Sequence, residues 1–280
     1  MKIITNSELP LTMLKENNEL NQYDFVLFHL YQSNAKYREY YQKQRINHPD
    51  RLMIFDNSAY EFFVKGEELN LHEYYEAVCE LKPDMYILPD VLMNKEKTLE
   101  GVTQFLDLYT LGIGLNTGKS QPLAVAQGMT EDDLLDCLKQ YKSLNIQNVA
   151  IPFHNSFFKD KGERVVGEIE EAFLVAYGWP LTPDHLYAMG RVQFMRDHKD
   201  ELKEFDWIHL LGSHCPLEKI FYSDWDSMDT GYPVKCAISG VKLGWEIEKP
   251  NIIIDEFLNK RLDKQTKTLI RENVQKFRDM

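Results

Sequence analysis

The feature that most constrains the fold of this chain is a series of eight short apolar runs, most of them ending in a polar residue or a glycine. Short, nearly continuous apolar runs are typical of strands buried on both faces. Because segments with helical periodicity separate them, the pattern predicts a parallel sheet with right-handed crossovers. The runs span residues 23–31, 52–58, 85–90, 122–128, 148–154, 186–190, 207–212 and 233–238.

The segments between the runs are amphipathic. In residues 69–82, Tyr75 and Val78 fall on one apolar stripe of a helix. Residues 130–144 open with Thr130, a typical N-cap residue, and carry acids in the first turn. The same pattern predicts helices over residues 167–178 and 196–205.

The number of strand–helix units sets the expected architecture. Eight units in 280 residues match the size of a (β/α)8 TIM barrel of the α/β class. We expect one barrel domain over residues 1–280, with a C-terminal helical segment at 250–280 packed on it. A doubly wound open sheet is the alternative, although no G-x-G-x-x-G follows the first run. Residues 111–120 contain Gly-Lys-Ser but are one residue short of the P-loop spacing.

The formal net charge of −12 limits how the protein can contact nucleic acid. Proteins that coat nucleic acid nonspecifically are usually basic, because phosphate neutralisation supplies their affinity. Any such contact must therefore be local, and residues 36–51 and 259–278 carry the cations for it. No stretch approaches the roughly 18 apolar residues of a membrane helix, and the N-terminus lacks a signal-peptide layout. We expect a cytoplasmic protein without membrane contact, in the host cytoplasm if the chain is viral.

The cysteines and histidines bear on metal binding. The four cysteines are Cys79, Cys137, Cys215 and Cys236. They are far apart and form no C-x-x-C pair, which argues against a thiolate zinc site and fits a reducing compartment. His154, His209 and His214 are alternative ligands, but a hydrogen-bonding or core role is the default for each. We therefore expect no metal and no cofactor.

Polar residues suited to catalysis follow the predicted strands. In a (β/α)8 barrel the catalytic groups lie at the C-terminal ends of the strands. One acid at such a position is often only the N-cap of the next helix, but several acids, an amide and glycines are harder to explain in that way. The residues at these positions are Asp56, Asp90, Gln127, Gly128, His154, Asn155, Gly190, Arg191, Gly212, Ser213 and His214, with Asp224, Asp226 and Asp229 before the last run.

These residue types indicate a kind of chemistry. Carboxylates near each other in a cleft can divide their roles, one as an ionised nucleophile and another as a general acid/base. A glutamine offers a donor and an acceptor to the edge of a heterocycle, and a neighbouring glycine lets a flat ligand approach the backbone. The combination indicates displacement at a sugar carbon, with a purine-like base as the leaving group.

Six segments resemble motifs of the tRNA-guanine transglycosylases, barrel enzymes that exchange guanine in a polynucleotide for a 7-deazaguanine. DNSAYEF is similar to D-S-G-G-F-Q, LPD to L-D, AVAQG to V-Q-G and YAMGRV to A-I-G-G-L. HLLGSHCPLEKI is similar to H-L-M-G-x-G-x-P-x-D/E, and MDTGYPVK to F-D-x-x-x-P-T-R. The segments occur in the family's order and cover about residues 52–240.

The resemblance implies a role for each matched residue. It assigns Asp229 to the covalent nucleophile and Asp56 to the general acid/base that also contacts the base. Base recognition is implied for Asp90, Gln127, Gly128, Gly190, Arg191 and Val192. Lys235 falls on a cation that contacts the polynucleotide. Candidates for stacking on the base, or alternatively for core packing, are Tyr60, Phe62 and Phe63.

Departures from the family narrow the expected substrate. The cysteine cluster of the family's zinc subdomain is missing, as is the Gly-Gly pair of the first motif, and Glu61 replaces its Gln. Short zinc-free relatives, the DpdA-type enzymes of phages and bacteria, insert 7-deazaguanines into DNA, and this chain is more similar to those. The expected partners are DNA, or alternatively tRNA, and a free 7-deazaguanine base. A homodimer or a partner subunit remains open.

Two other functions fit the same residues. A nucleosidase or glycoside hydrolase would use both acids with water as the acceptor. A non-catalytic barrel subunit of a nucleic-acid-modifying complex would keep the fold without needing the acids. The presence of both Asp56 and Asp229 favours the pentosyltransferase, a guanine transglycosylase, over that subunit.

Overall fold

The computed structural model describes residues 3–111, 119–153, 156–167, 182–222, 224–244, 250, 252 and 257–280. Eight parallel strands with interleaved helices form one sheet in the order β1-β8-β7-β6-β5-β4-β3-β2. This is the arrangement of a (β/α)8 TIM barrel, so the predicted α/β fold class is confirmed. The helix predicted over 167–178 lies outside the described residues from 168 onward, as do residues 112–118, His154 and Asn155.

The strands are short and most of their residues are buried. They are β1 (Ile4–Ser7), β2 (Asp24–Leu27), β3 (Met53–Asp56), β4 (Met85–Ile87), β5 (Gln121–Val125), β6 (Asn148–Pro152), β7 (Trp207–Leu211) and β8 (Ser227–Thr230).

The helices vary from one turn to more than four. After a 3-10 helix at Leu11–Glu16 come α1 (Asn17–Leu20), α2 (Phe28–Ser33), α3 (Ala35–Asn47), α4 (Ala59–Lys65), α5 (Leu71–Leu81), α6 (Lys95–Leu111) and α7 (Glu131–Ser143). The others are α8 (Ser156–Gly167), α9 (Pro183–Asp197), α10 (Lys199–Leu202), α11 (Pro216–Ile220), α12 (Tyr232–Ile238) and α13 (Lys264–Asp279). In the described part of the chain, no helix has the length and apolar character that a membrane crossing needs.

Two of the predicted strands are wrong, because both runs lie in helices. Residues 186–190 belong to α9, which starts with Pro183 in its first turn after Thr182. Residues 233–238 belong to α12, where Pro233 again lies in the first turn. Proline is favoured at that position, since its missing N–H would have no partner in the helix. A short apolar run cannot by itself distinguish a strand from a buried helical turn.

The two strands that the sequence pattern missed, β1 and β8, are polar. Thr5, Asn6 and Ser7 of β1 are buried despite their side chains. The Asn21 side chain accepts from the Ser7 N–H at 2.7 Å and donates to the Ser7 carbonyl at 2.9 Å. These two bonds satisfy backbone groups that burial would otherwise leave unpaired. In β8 only Met228 is apolar, so no hydrophobic run marks the strand.

The described residues group into two compact units, 1–22 with 152–280 (the first unit) and 23–151 (the second unit). In the second unit α5 covers the strands with the stripe predicted from the sequence. Its Tyr74 hydroxyl donates to the carbonyls of Phe55 at 3.1 Å and Ile87 at 2.7 Å. The predicted N-cap at Thr130 is confirmed, as part of a capping box with Asp133.

In the first unit two helix contacts organise the packing. A Cβ at Gly190 of α9 would collide with the Phe158 carbonyl of α8, so the glycine lets these helices touch. Helix α13 lies against α12, where the buried Asn273 side chain donates to the Pro233 carbonyl at 3.1 Å. Its C-terminal end receives the Lys219 ammonium, which donates to the Phe277 carbonyl at 2.6 Å. A cation at this end complements the helix dipole.

Candidate active site

In the second unit, the residues that follow β3, β4 and β5 place a carboxylate between two side-chain amides. Asp90 Oδ1 accepts from Asn57 Nδ2 at 2.8 Å, and Asp90 Oδ2 accepts from Gln127 Nε2 at 2.7 Å. Both amide side chains are buried, while Asp90 itself stays half-buried. We call Asn57, Asp90 and Gln127 the base-edge cluster. It brings together two residues that the sequence singled out, Asp90 and Gln127.

The two amides are held in fixed orientations. Gln127 Oε1 accepts the Met93 N–H at 3.0 Å, which turns its Nε2 toward Asp90. Asn57 Oδ1 accepts the Ala59 N–H at 2.8 Å, and its Nδ2 also donates to the Leu88 carbonyl at 2.7 Å. Asn57 was missed by the sequence analysis. Its position beside Asp56 at a strand end was the available signal.

The Asp90 carboxyl has a raised pKa. Burial raises its pKa above the ordinary value for aspartate, and the hydrogen bonds from Asn57 and Gln127 oppose part of that rise. A carboxylate has about four acceptor sites, and these bonds occupy two of them. Asp90 therefore keeps the capacity to accept donors from a ligand.

Asp56 is the last residue of β3 and is almost fully buried. Its Oδ2 accepts the Ser58 N–H at 2.7 Å, so the carboxylate closes the turn between β3 and α4. Ser58, and not Asp56, occupies the N-cap position of α4. Ser58 has a φ of 62°, in the left-handed region, and its Oγ lies 2.9 Å from His29 Nδ1. The turn is thus held by the Asp56 carboxylate through the Ser58 N–H and by the His29 ring through the Ser58 hydroxyl.

Gly128 has a structural explanation that involves no ligand. A Cβ at this position would collide with the Cβ of Asp133, the residue that completes the capping box of α7. The base contact that the resemblance implies for Gly128 stays a prediction.

Exposed apolar side chains follow the same strand ends of the second unit. Tyr60 is 46% exposed and Phe63 is 58% exposed, and both lie in α4, the helix that follows β3. Phe62 points inward instead, with its ring 6.2 Å from that of Phe28. The stacking candidates therefore divide into two exposed rings and one packed ring. Other exposed apolar residues after these strands are Val64, Val91, Met93 and Met129.

A second carboxylate lies in β8 of the first unit, with a different set of partners. Asp229 Oδ1 accepts the Gly212 N–H at 2.8 Å and lies 3.2 Å from His209 Nε2. Within the described residues, its Oδ2 receives no hydrogen bond. Asp229 is 5% exposed. We call Asp229, His209, Gly212 and Ser227 the Asp229 cluster.

The orientation of His209 follows from its neighbours. Trp207 Nε1, which can only donate, gives its hydrogen to Ser227 Oγ at 2.8 Å. Ser227 Oγ lies 2.8 Å from His209 Nδ1 and can give its own hydrogen to that nitrogen. In that arrangement Nε2 carries a hydrogen and donates it to Asp229 Oδ1. From the sequence, His209 was weighed as a metal ligand, with a core or hydrogen-bonding role as the default, but its contact with Asp229 was not predicted.

The other acids near β8 have separate partners. Asp224 forms an ion pair with Lys199. Asp226 Oδ2 accepts the Ile208 N–H at 2.8 Å, at the start of β7. Asp229 is thus the member of this acidic segment that the structure places in a polar cluster.

The structure corrects the placement of Gly190, Arg191 and Val192. The sequence analysis put them at a strand end with their backbone against a base, but all three lie inside α9. Arg191 is fully buried and pairs with Glu218, and Val192 is buried as well. Their backbone groups lie in a helix packed on α8, so we leave all three out of the base pocket.

Lys235 lies in α12, after β8, and is half-buried. Its side chain and that of Glu8 both cover Gly231: a Cβ there would lie 2.9 Å from Lys235 Cε and 2.8 Å from Glu8 Oε2. Glu8 directly follows β1. The predicted polynucleotide contact of Lys235 would therefore be made beside an acidic side chain.

The two cation-rich segments use several of their charges within the protein. In residues 36–51, Arg45 pairs with Asp84 and Arg51 with Asp24. In the second segment, 259–278, Arg271 pairs with Glu16, and Arg278 donates to the Glu19 carbonyl at 2.7 Å. These contacts stabilise the fold, so fewer cations are available to contact phosphate than the number of Lys and Arg residues in the two segments suggests.

Across the described ranges, no group of three or more His, Cys, Asp or Glu side chains is arranged to hold a metal ion. His214, one of the three candidate histidines, packs its ring 4.8 Å from that of Phe153.

No protein-family model and no curated protein matches this chain by sequence. The assignment of this site therefore rests on its geometry and on the six segments that resemble transglycosylase motifs.

Proposed function

We propose that the protein is a base-exchanging transglycosylase that replaces guanine in DNA with a 7-deazaguanine, through a covalent bond between Asp229 and the sugar. The observation that carries the proposal is the asymmetry of the Asp229 carboxylate. Donors hold Oδ1, from Gly212 and His209, while Oδ2 has no hydrogen bond within the described residues. A carboxylate fixed through one oxygen can present the other as a nucleophile.

The turn after β3 supports the resemblance on which the substrate rests. The motif D-S-G-G-F-Q has glycines in the turn after its aspartate, where this chain has Ser58, Ala59 and Tyr60. Ser58 has a φ of 62°, a conformation that favours glycine. A turn of this conformation is compatible with a motif that carries glycines here, although the residues differ.

The base-edge cluster suits a guanine edge. Guanine presents an N1–H and an amino group as neighbouring donors, and Asp90 retains acceptor sites beyond those that Asn57 and Gln127 occupy. The oriented Gln127 amide adds a second hydrogen and a second lone pair. Bases without matching donors should bind more weakly, since they form no hydrogen bonds with the remaining acceptor sites of Asp90.

The proposed reaction is a double displacement. Asp229 Oδ2 attacks C1′ of the target nucleoside, and the C1′–N9 bond breaks with its electron pair leaving on guanine. Protonated Asp56, or a water that it holds, gives guanine a proton. The incoming 7-deazaguanine then loses its N9 proton to Asp56, attacks C1′ and releases the Asp229 carboxylate. Two inversions retain the configuration at C1′, as in retaining glycosidases.

The substrate base must leave its helix before this reaction. An atom within a stacked duplex is out of reach of a strand-end carboxylate, so the nucleotide is flipped out or single-stranded. The exposed rings of Tyr60 and Phe63 are suited to stack on unpaired bases.

Exchange of labelled guanine into a polynucleotide tests the proposal. We expect the wild-type protein to incorporate label into DNA, and Asp229→Asn to lose at least about a thousandfold in rate, since it lacks the nucleophile. Asp226→Asn is the matched control, because it changes an acid of the same segment outside the Asp229 cluster.

Three results would contradict the proposal or redirect it. Continued exchange by Asp229→Asn would remove Asp229 as the nucleophile. Release of guanine with abasic sites and no incorporation would indicate the nucleosidase. Incorporation into tRNA but not into DNA would retain the reaction and change the substrate.

A further inference from the structure

A buried ion pair lies behind the Asp229 cluster. Arg191 of α9 and Glu218 of α11 are both fully buried, and Arg191 Nη2 donates to Glu218 Oε2 at 2.8 Å. The Arg191 guanidinium also stacks on the Phe153 ring, with its carbon 5.0 Å from the ring centroid. The hydrogen bonds of the pair go to the turn beside Asp229, so a role in the reaction would be indirect.

Both members of the pair form hydrogen bonds with the turn that follows β7. Arg191 Nη1 donates to the Leu211 carbonyl and Nη2 to the Gly212 carbonyl, each at 2.9 Å. From the other side, Ser213 Oγ donates to Glu218 Oε2 at 3.0 Å. Residues 211–213 are thus fixed by both members of the pair.

This turn supplies the backbone donors to Asp229. The Gly212 N–H donates to Asp229 Oδ1 at 2.8 Å, and the Ser213 N–H donates to the Asp229 carbonyl at 3.0 Å. Gly212 has a φ of 59°, and a Cβ there would meet only Phe153 Cβ, at 3.9 Å. The glycine is therefore required for its backbone conformation and not for space.

Stability alone does not account for the pair. Desolvation of two buried charges offsets much of their attraction, and apolar replacements of such pairs are often neutral or stabilising. What an apolar pair cannot supply is the set of guanidinium hydrogen bonds to the Leu211 and Gly212 carbonyls. The planar five-donor guanidinium is suited to holding several acceptors at once.

We propose that Arg191 and Glu218 are positioning residues of the transglycosylase reaction. They hold residues 211–213 so that the Gly212 amide fixes Asp229 Oδ1 and leaves Oδ2 directed at the sugar. This inference rests on the proposed function for its catalytic consequence, and on the turn geometry alone for its structural consequence.

The double variant Arg191→Met/Glu218→Leu tests the inference, because it removes the donors to the turn and fills their space with apolar side chains. We expect a melting temperature below that of the wild type, because the Leu211 and Gly212 carbonyls and the Tyr222 hydroxyl lose their partners. At a temperature where the variant is fully folded, we expect the rate of covalent adduct formation in a single turnover to be lower by about 10- to 100-fold, because a small misplacement of a reacting group slows a reaction by that order. The fraction of molecules that form the adduct should stay at the wild-type level. A merely structural role would lower that fraction and leave the rate per active molecule unchanged.

Hydrogen exchange at the Gly212 amide separates failure of this inference from failure of the proposed function. We expect faster exchange there in the double variant than in the wild type, whether or not the protein transfers bases. Unchanged protection of Gly212, or an adduct rate equal to that of the wild type, would overturn the positioning role. A wild-type protein without any adduct would overturn the proposed function instead.

Gly212→Ala provides the second variant if the double variant does not fold. It keeps the ion pair and the amide but disfavours the left-handed backbone. We expect an adduct rate reduced by about tenfold. A rate equal to the wild type would show that the turn geometry does not matter and would refute the inference.

Discussion

The carboxylates of the two clusters, Asp90 and Asp229, differ in how they are held. Side-chain amides occupy both oxygens of Asp90, and the residue remains half-buried. A backbone amide and a histidine occupy one oxygen of Asp229, in an almost fully buried site. Asn57 and Gln127 present a flat, hydrogen-bonding edge with Asp90, which suits recognition. The Asp229 arrangement directs one oxygen away from its donors, which suits attack.

This difference predicts that the two clusters control separate steps. Changes in the base-edge cluster should alter the affinity for the free base, while changes in the Asp229 cluster should alter the rate of bond formation. Substitutions in and around the two clusters test that division.

Asp90→Asn should have the largest effect on base binding. It removes the charged acceptor and places an amide opposite the amides of Asn57 and Gln127. We expect the dissociation constant for guanine to rise about 30- to 100-fold, the cost of about 2–3 kcal/mol for a lost hydrogen bond to a charged group. Isothermal titration calorimetry measures it, with Asp132→Asn, on the exposed side of α7, as the control. Unaltered guanine affinity would remove Asp90 from the pocket.

His209→Phe should slow the reaction and leave base affinity intact. The variant deletes the Nε2 donor to Asp229 Oδ1 but keeps an aromatic ring in a fully buried position. We expect kcat to fall about tenfold, the effect of losing about 1.4 kcal/mol of hydrogen bonding. Steady-state exchange kinetics measure kcat, with His72→Phe, at an exposed position of α5, as the control. A change in guanine affinity with an unaltered kcat would contradict the division of roles.

The raised pKa of Asp90 predicts a pH-dependent difference in stability. The folded protein keeps the Asp90 proton to higher pH than the unfolded chain, where the pKa is near 3.8. The free energy of unfolding therefore falls as pH rises from about 4 through the raised pKa, by about 1.4 kcal/mol for each pH unit that separates the folded from the unfolded pKa. Asp90→Asn lacks this loss, so its stability relative to the wild type should increase over the same range. Urea unfolding between about pH 4 and 8 measures both proteins, and parallel curves would refute the prediction.

Phe63→Ser should have the smallest effect, confined to the polynucleotide. Phe63 is exposed, so we expect the free energy of unfolding to change by less than about 0.5 kcal/mol. Loss of a stacking surface should raise KM for DNA about fivefold, at the low end for base stacking. Ile46→Ser, at an exposed position of α3, is the matched control. Equal KM values for the two variants would exclude stacking on Phe63.

The sequence predicted the fold class because most strands are buried on both faces and are followed by amphipathic helices. It failed where burial involved polar side chains, as in β1, whose Ser7 backbone pairs with the side chain of Asn21. It also failed where a tertiary contact decided the structure. Residues 186–190 form a helix that needs Gly190 to approach α8, which no local pattern reveals.

In the candidate site, too, some residues could be predicted from the sequence and some contacts could not. Asp56, Asp90 and Gln127 could be proposed because chain topology places strand ends on one edge of a sheet. Asp229 was expected before a last strand at 233–238 and was proposed from the segment MDTGYPVK, whereas it lies inside β8. The contacts of His209 could not, because they depend on register: His209 lies opposite Ser227 in the pairing of β7 with β8. The register between two parallel strands follows from packing and not from either strand alone.

Mass spectrometry of a trapped intermediate tests the central claim most directly. The protein is incubated with guanine-containing single-stranded DNA without an acceptor base, denatured, digested with nuclease and protease, and searched for a sugar adduct. The account predicts an adduct on Asp229 that disappears in Asp229→Asn and is released as modified DNA when a 7-deazaguanine is added before denaturation. An adduct on another residue, or base exchange that proceeds without any adduct, would contradict it.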